Sequence, residues 1–196
     1  IMDEGKILLV NLSKGRIGEL NANLLGMVVV GKLLMAALSR VDIEQEKRKD
    51  FNLFIDEFQN VTTNSIATIL SEARKYRLSL VVAHQFIAQL QEDIRDAVFG
   101  NVGSMVSFRV GADDAEFLVK QFEPIFTKND LMNLDNFNAY VKLLIAGQTS
   151  KPFNIQTIRP GMGSSEVKNA LKELSRQTYG ADKSEVEADI VRRLRE

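Results

Sequence analysis

FNLFIDEFQN, residues 51–60, sets four apolar residues among five ahead of a pair of acids, Asp56 and Glu57. A short apolar run of this kind reads as a strand buried in a sheet, with the acids at its carboxyl end. One helical segment further on, LSLVVA at 78–83 repeats the pattern and ends at His84 and Gln85. Strand, helix and strand in that order make a βαβ unit, so the two polar ends belong side by side on a parallel sheet.

Outward from this unit the alternation continues. KILLVNL (6–12) reads as another buried strand, SKGRIG (13–18) as a polar loop, and 19–40 as a long helix that is apolar on nearly every side by Val30. Residues 42–50 form a solvated connection, its charge run at 46–49 included. A helix is expected at 62–76, with Ile66, Ile69, Leu70 and Ala73 on one stripe. Helices at 91–99 and 113–122 flank a strand at 104–110, and a strand at 139–145 precedes a turn and a possible hairpin partner at 153–158. The pattern predicts a three-layer α/β domain with a mostly parallel sheet over 1–158, a linker at 159–163 and two amphipathic helices within 164–196. Ser164 or Ser165 is the expected N-cap of the first of these.

Composition narrows the chemistry. The 196 residues include one histidine, no cysteine and no tryptophan, which excludes a disulfide framework and any Cys-built metal site. A net charge of −1 gives no global basic field for nucleic acid. The longest apolar run, 27–38, is interrupted by Gly31 and Lys32 and is too short for a membrane span. No leader pattern is visible, and the chain opens on Ile1 almost directly before a strand-like run, so it is expected to be a piece of a longer protein.

Acids at the mouth of a buried strand are what nucleotide hydrolysis uses. One carboxylate, here Asp56, holds hydrated Mg²⁺, and a second, Glu57, orients the attacking water. The same residues could be an ordinary solvated acidic turn. Gln85 can hydrogen-bond both a γ-phosphate and the lytic water, or merely cap the next helix. His84 is expected to be a hydrogen-bonded structural residue. No G-x-x-x-x-G-K-[ST] occurs; the glycines and lysine of 26–32 lie within a helical apolar pattern. A phosphate-cradling loop is therefore expected upstream of Ile1, unless the chain is a catalytically empty relative.

The runs ILLVNLSKGRIGELNANLLG, FIDEFQNV, SEARKYRLSLVVAHQ and NVGSMVSFRVGADDAEFL resemble the carboxyl-terminal half of HerA/FtsK-type ATPases. They are nearest to the type IV secretion and conjugation ATPases of the TraG/TraD kind. The resemblance spans roughly residues 6–153. It implies a RecA-like motor that binds ATP and Mg²⁺ and assembles as a homo-hexamer to move DNA through a central channel, alongside secretion-system components. Asp56 and Glu57 then match the Walker B acids, and Gln85 the sensor glutamine. An arginine acting across a subunit interface is also implied. Arg109 is preferred over Arg74 and Arg77, although a surface arginine paired with Asp113 or Asp114 would look the same. The expected location is the cytoplasm, at the inner membrane's cytoplasmic face if an upstream segment anchors it.

Two rivals remain. DEFQN is also the second motif of superfamily-one, UvrD-type helicases, but VVAHQF lacks the acidic pair their next motif carries. A catalytically empty interaction module would use the helices from Ser165 onward. Their stripes, Val167, Leu171 and Leu174, then Val186, Ile190, Val191 and Leu194, more often pack on a parent domain. The arginines at 192, 193 and 195 suit a helix carboxyl end. Lys14 with Arg16, and Arg74 with Lys75 and Arg77, could touch DNA or simply be solvated.

Overall fold

The computed structural model describes residues 1–62, 66, 70 and 72–195, in two compact units, Ile1–Gln156 and Thr157–Glu196. The first unit begins with an extended segment, then α1 (Lys14–Ile17) and α2 (Glu19–Leu38). Strand β1 (Phe51–Ile55) pairs in parallel with β2 (Leu78–Val82), Phe51 opposite Leu78 and Ile55 opposite Val82. Next come α3 (Glu92–Asn101), β3 (Met105–Ser107), α4 (Ala112–Phe122) and α5 (Lys128–Met132). β4 (Asn138–Lys142) and β7 (Phe153–Gln156) complete an antiparallel sheet in the order β3-β4-β7. Between them, β5 (Leu144–Ile145) and β6 (Gln148–Thr149) form a tight hairpin. Ala146 and Gly147 at its tip both have positive φ, 49° and 81°, as a two-residue turn matched to strand twist requires.

The two strands that carry the predicted site residues form where expected, and in parallel. The rest of the sheet differs from expectation: the β1–β2 pairing is parallel, whereas among the described residues the β3–β4, β4–β7 and β5–β6 pairings are antiparallel. Residues 6–12 are extended but form no strand, with Ile7 88% and Leu9 81% exposed. A continuous apolar run identifies a segment able to enter a sheet; the hydrogen-bonding neighbour that would make it a strand is a tertiary matter. Nor is β1 buried on both faces. Phe51, Leu53 and Ile55 turn inward while Phe54 is 72% exposed. The expected strand at 139–145 splits into β4 and β5. Seven of the fifteen residues of the helix expected at 62–76, Ile69 among them, lie outside the described residues; Ala73–Tyr76 form a 3-10 turn.

Helix α2 packs Val30, Leu33 and Ala37 into a core with Ile55, Phe58, Leu78, Ile94 and Val98. Its outer face stays exposed at Leu20, Leu24, Val28 and Met35, so it is not enclosed between layers. With the turn that follows it, residues Glu19–Asp42 are long and apolar enough by composition to cross a membrane, longer than the run at 27–38 suggested. Its inner stripe is that of a core helix packed on the sheet. Gly26 permits the close approach: a Cβ there would lie 2.5 Å from Val61 Cγ1 and 3.1 Å from Leu12 Cδ1. A second cluster joins Ala115, Leu118 and Phe122 of α4 to Leu131, Leu134 and Tyr140.

Arg40 is 1% exposed at the end of this layer. It donates to Asp3 Oδ1 and to the carbonyls of Tyr76 and Lys49, tying the chain's start to the entrances of β1 and β2. The second unit contains α6 (Ser165–Tyr179) and α7 (Lys183–Arg193). Ser164 caps α6 through Val167 N, and Asp182 caps α7. Val167, Leu171 and Leu174 lie on one face of α6 and are exposed. Arg192 and Arg193 pair with Asp189 one turn back.

Candidate functional site

The parallel ladder runs past the strand ends. Ala83 N donates to Ile55 O, and Phe58 N donates to Ala83 O, each at 2.9 Å. The residues just beyond, Asp56-Glu57 and His84-Gln85, are therefore held at one level at the carboxyl ends of both strands. Crevices at such ends are where parallel sheets bind ligands.

Glu57 adopts left-handed backbone geometry, φ 50° and ψ 47°, before a 3-10 turn over Phe58–Asn60. A non-glycine residue there costs about 1–2 kcal/mol. The fully buried ring of Phe58, in the core below, holds the turn against that strain. Asp56 is exposed and accepts Glu57 N on Oδ1 at 3.0 Å. The Glu57 carboxylate accepts two amide donors: Gln85 Nε2 at 2.5 Å on Oε1 and Gln59 Nε2 at 2.6 Å on Oε2. Bonds from N–H to a carboxylate are among the stronger ones, so both oxygens are well fixed.

A groove of about 1020 Å³ adjoins these residues, between the extended segment 6–12, the inner side of α2 and β1. Asp56, Glu57, Asn60 and Lys14 stand on its rim. Lys14 Nζ is 2.8 Å from Glu19 Oε1 and 3.2 Å from Asn60 Oδ1, which joins the first loop to the acidic turn. Its hydrogen bond and charge lower the Glu19 pKa below the ordinary value. Lys14 is thus engaged within the fold, as is Arg77, which pairs with Asp50 at 3.2 Å.

The structure brings together Asp56, Glu57 and Gln85. Arg109 is elsewhere: exposed after β3, it donates to Asn136 Oδ1 at 3.3 Å and makes no bond to those three among the described residues. Nor, among the described residues, does it pair with Asp113 or Asp114. Asp114 is buried and accepts Ile87 N at 3.2 Å, securing the loop that follows Gln85 to the start of α4. His84 departs from expectation, since its buried Nδ1 has no hydrogen-bond partner among the described residues.

Sequence reasoning passed over Gln59 and considered Asp114 only as a partner for Arg109. Gln59 offered one signal, a polar residue two positions after Glu57 in the same tight turn. Asp114 offered none, because its partner is distant in sequence. GMVVVGK (26–32) has the glycine and lysine spacing of a P-loop, but Leu33 stands where a hydroxyl is needed and the stretch lies wholly in α2. No cluster of three His, Cys, Asp or Glu able to enclose a metal occurs among the described residues. One exposed carboxylate beside a second suits a different case, a hydrated Mg²⁺ shared with phosphates.

Residues 50–122 match the family model described as the TraM recognition site of TraD and TraG. The chain resembles the carboxyl-terminal portion of TraG/TraD-type conjugation ATPases. The TraD/TraG match runs from just before β1 to the end of α4 and takes in Asp56, Glu57, Gln85 and Arg109. Among solved structures, the plasmid coupling protein TrwB in complex with the ATP analogue ADPNP is similar in fold. Its TM-score is 0.56 at 19% identity, covering 75% of this chain and 38% of that one. TrwB in complex with ADP and Mg²⁺ gives 0.54 at 18%, covering 66% and 35%. The bacterial conjugative coupling protein TrwBdeltaN70, unbound, gives 0.52 at 19%, covering 63% and 35%. This chain thus spans little more than a third of the TrwB chains it matches. No curated protein matches it in sequence.

Proposed function

We propose that this chain is the carboxyl-terminal half of a RecA-like motor domain in an ATP-driven DNA translocase serving conjugation or type IV secretion. The observation that carries this reading is the Glu57–Gln85 hydrogen bond at 2.5 Å, at the mouth of the parallel β1–β2 pair. It joins a candidate base to a candidate phosphate sensor. The TraD/TraG match over these residues supports the same reading against a superfamily-one helicase.

In this mechanism ATP with Mg²⁺ supplies the phosphoryl group and the charge neutralisation its transfer needs. Asp56 fits the metal's outer shell: it is exposed, and its Oδ1 is already oriented by Glu57 N. Glu57 accepts a proton from water at its carboxylate, and Gln85 donates its amide to the γ-phosphate. A P-loop upstream of Ile1 cradles the phosphates. Arg109, bonded to Asn136 and not to Glu57 among the described residues, acts across a ring interface, with a homo-hexamer as the working assembly. The three-layer, mostly parallel sheet is completed by that upstream portion. DNA, threaded through the ring, and secretion-system components are the partners, and the cytoplasmic face of the inner membrane is the site of action.

The test is ATP hydrolysis by the full-length protein, with and without DNA, beside Glu57→Gln. DNA-stimulated turnover that Glu57→Gln abolishes supports the motor. Absence of turnover under both conditions favours the interaction module, which would use the helices from Ser165 onward.

A further inference from the structure

We infer that Gln59 is a positioning residue for Glu57, and that Glu57 is held between a fixed amide and a movable one. The inference rests on the hydrolytic reading of Glu57. Its two carboxylate oxygens are divided between two donors of different standing. Gln59 is half-buried in the same 3-10 turn, and its backbone carbonyl accepts Thr62 Oγ1 at 3.2 Å. Its own Oε1 is buried without a hydrogen-bond partner among the described residues, so the bond to Glu57 is what orients its amide. Gln85 is exposed and comes from the other strand.

The two amides therefore do different work. Gln85 occupies Oε1 and Gln59 occupies Oε2. When Gln85 turns its N–H toward a phosphoryl oxygen, Oε1 becomes available to accept a proton from water. Gln59 meanwhile keeps the side chain from swinging away, which matters because Glu57 sits on a strained left-handed turn. The Gln59 bond persists whether Gln85 contacts Oε1 or the phosphoryl oxygen.

Two measurements test this. In the chain without nucleotide, the side-chain amide NMR signals of Gln59 and Gln85 should both move on Glu57→Gln, showing the double clamp independently of any activity. In the full-length protein, Gln59→Met keeps the size but removes the donor. It should lower kcat roughly tenfold, about one charge-assisted hydrogen bond, while leaving KM for ATP and Tm near wild type. Gln59→Glu, with a carboxylate facing Glu57, should lower kcat further. If Glu57→Gln abolishes turnover but Gln59→Met retains wild-type kcat, the inference is overturned while the motor reading stands. If the wild type hydrolyses no ATP, the motor reading falls and takes this role with it, even where the NMR shifts confirm the clamp.

Discussion

Gln85 Nε2 and Glu57 Oε1 lie 2.5 Å apart although 28 positions separate the two residues. The parallel register of β1 and β2 makes this possible, because Ile55 opposite Val82 leaves Glu57 two residues and Gln85 three residues beyond their strands. Replacing the amide should therefore act on chemistry and not on folding. Gln85→Ala in the full-length protein should reduce kcat by on the order of 10- to 100-fold with little change in Tm, since the residue is exposed. A calorimetric melt beside the kinetics separates the two; a large drop in Tm would mean that the bond is structural.

Arg40 is a stability prediction. Its buried guanidinium satisfies two backbone carbonyls and an ion pair with Asp3. Arg40→Met leaves both carbonyls without this donor and should cost about 2–3 kcal/mol, read as a lower urea midpoint at unchanged m. Asp3→Ala should cost less than about 1 kcal/mol, because Asp3 is more than half exposed and its charge is screened by solvent.

Two glycines of α2 should behave in opposite ways. Gly31 has nothing within 4 Å of a built Cβ, so Gly31→Ala should stabilise the helix by up to about 1 kcal/mol. A Cβ at Gly26 would come within 2.5 Å of Val61 Cγ1, so Gly26→Val should destabilise by about 1–3 kcal/mol as α2 is pushed off the acidic turn. Equal effects from the two substitutions in denaturant titrations would contradict this packing.

Acid sensitivity should include Asp130. The Thr127 backbone N–H and hydroxyl both donate to its carboxylate, in that order of importance, and hold its pKa below the ordinary 3.8. A carboxylate with a lowered folded pKa contributes stability that is complete above the unfolded value. That contribution is lost as pH falls from about 3.8 through the lowered folded value. Asp130→Asn should flatten this part of the acid limb in melts taken from pH 5 to 2, leaving the difference between the proteins constant above pH 5.

Much of the site was legible locally. FNLFI and LSLVV read as strands, and both form, in parallel, with Asp56, Glu57 and Gln85 at their ends. Helices α3, α4 and α6 lie within a few residues of their expected spans, because apolar period, capping residues and turn signals act over a few neighbours. KILLVNL shows where such reading stops. Its composition is that of an inner strand, yet it forms no ladder, since strand identity needs a partner that local composition does not name. The same limit hid the antiparallel order β3-β4-β7 and the engagement of Asp114 with Ile87.

Sequence by itself determined which segments are strand or helix around the site and which polar residues stand at the strand ends. Periodicity and side-chain chemistry are local properties, and they survive without knowledge of the fold. Tertiary structure alone decided that Glu57 turns left-handed, that Gln59 and Gln85 divide its carboxylate, and that Arg109 stands apart from it. Those outcomes depend on backbone torsion and on contacts between distant positions, which are settled only when the core beneath Phe58 closes and the parallel ladder sets the register.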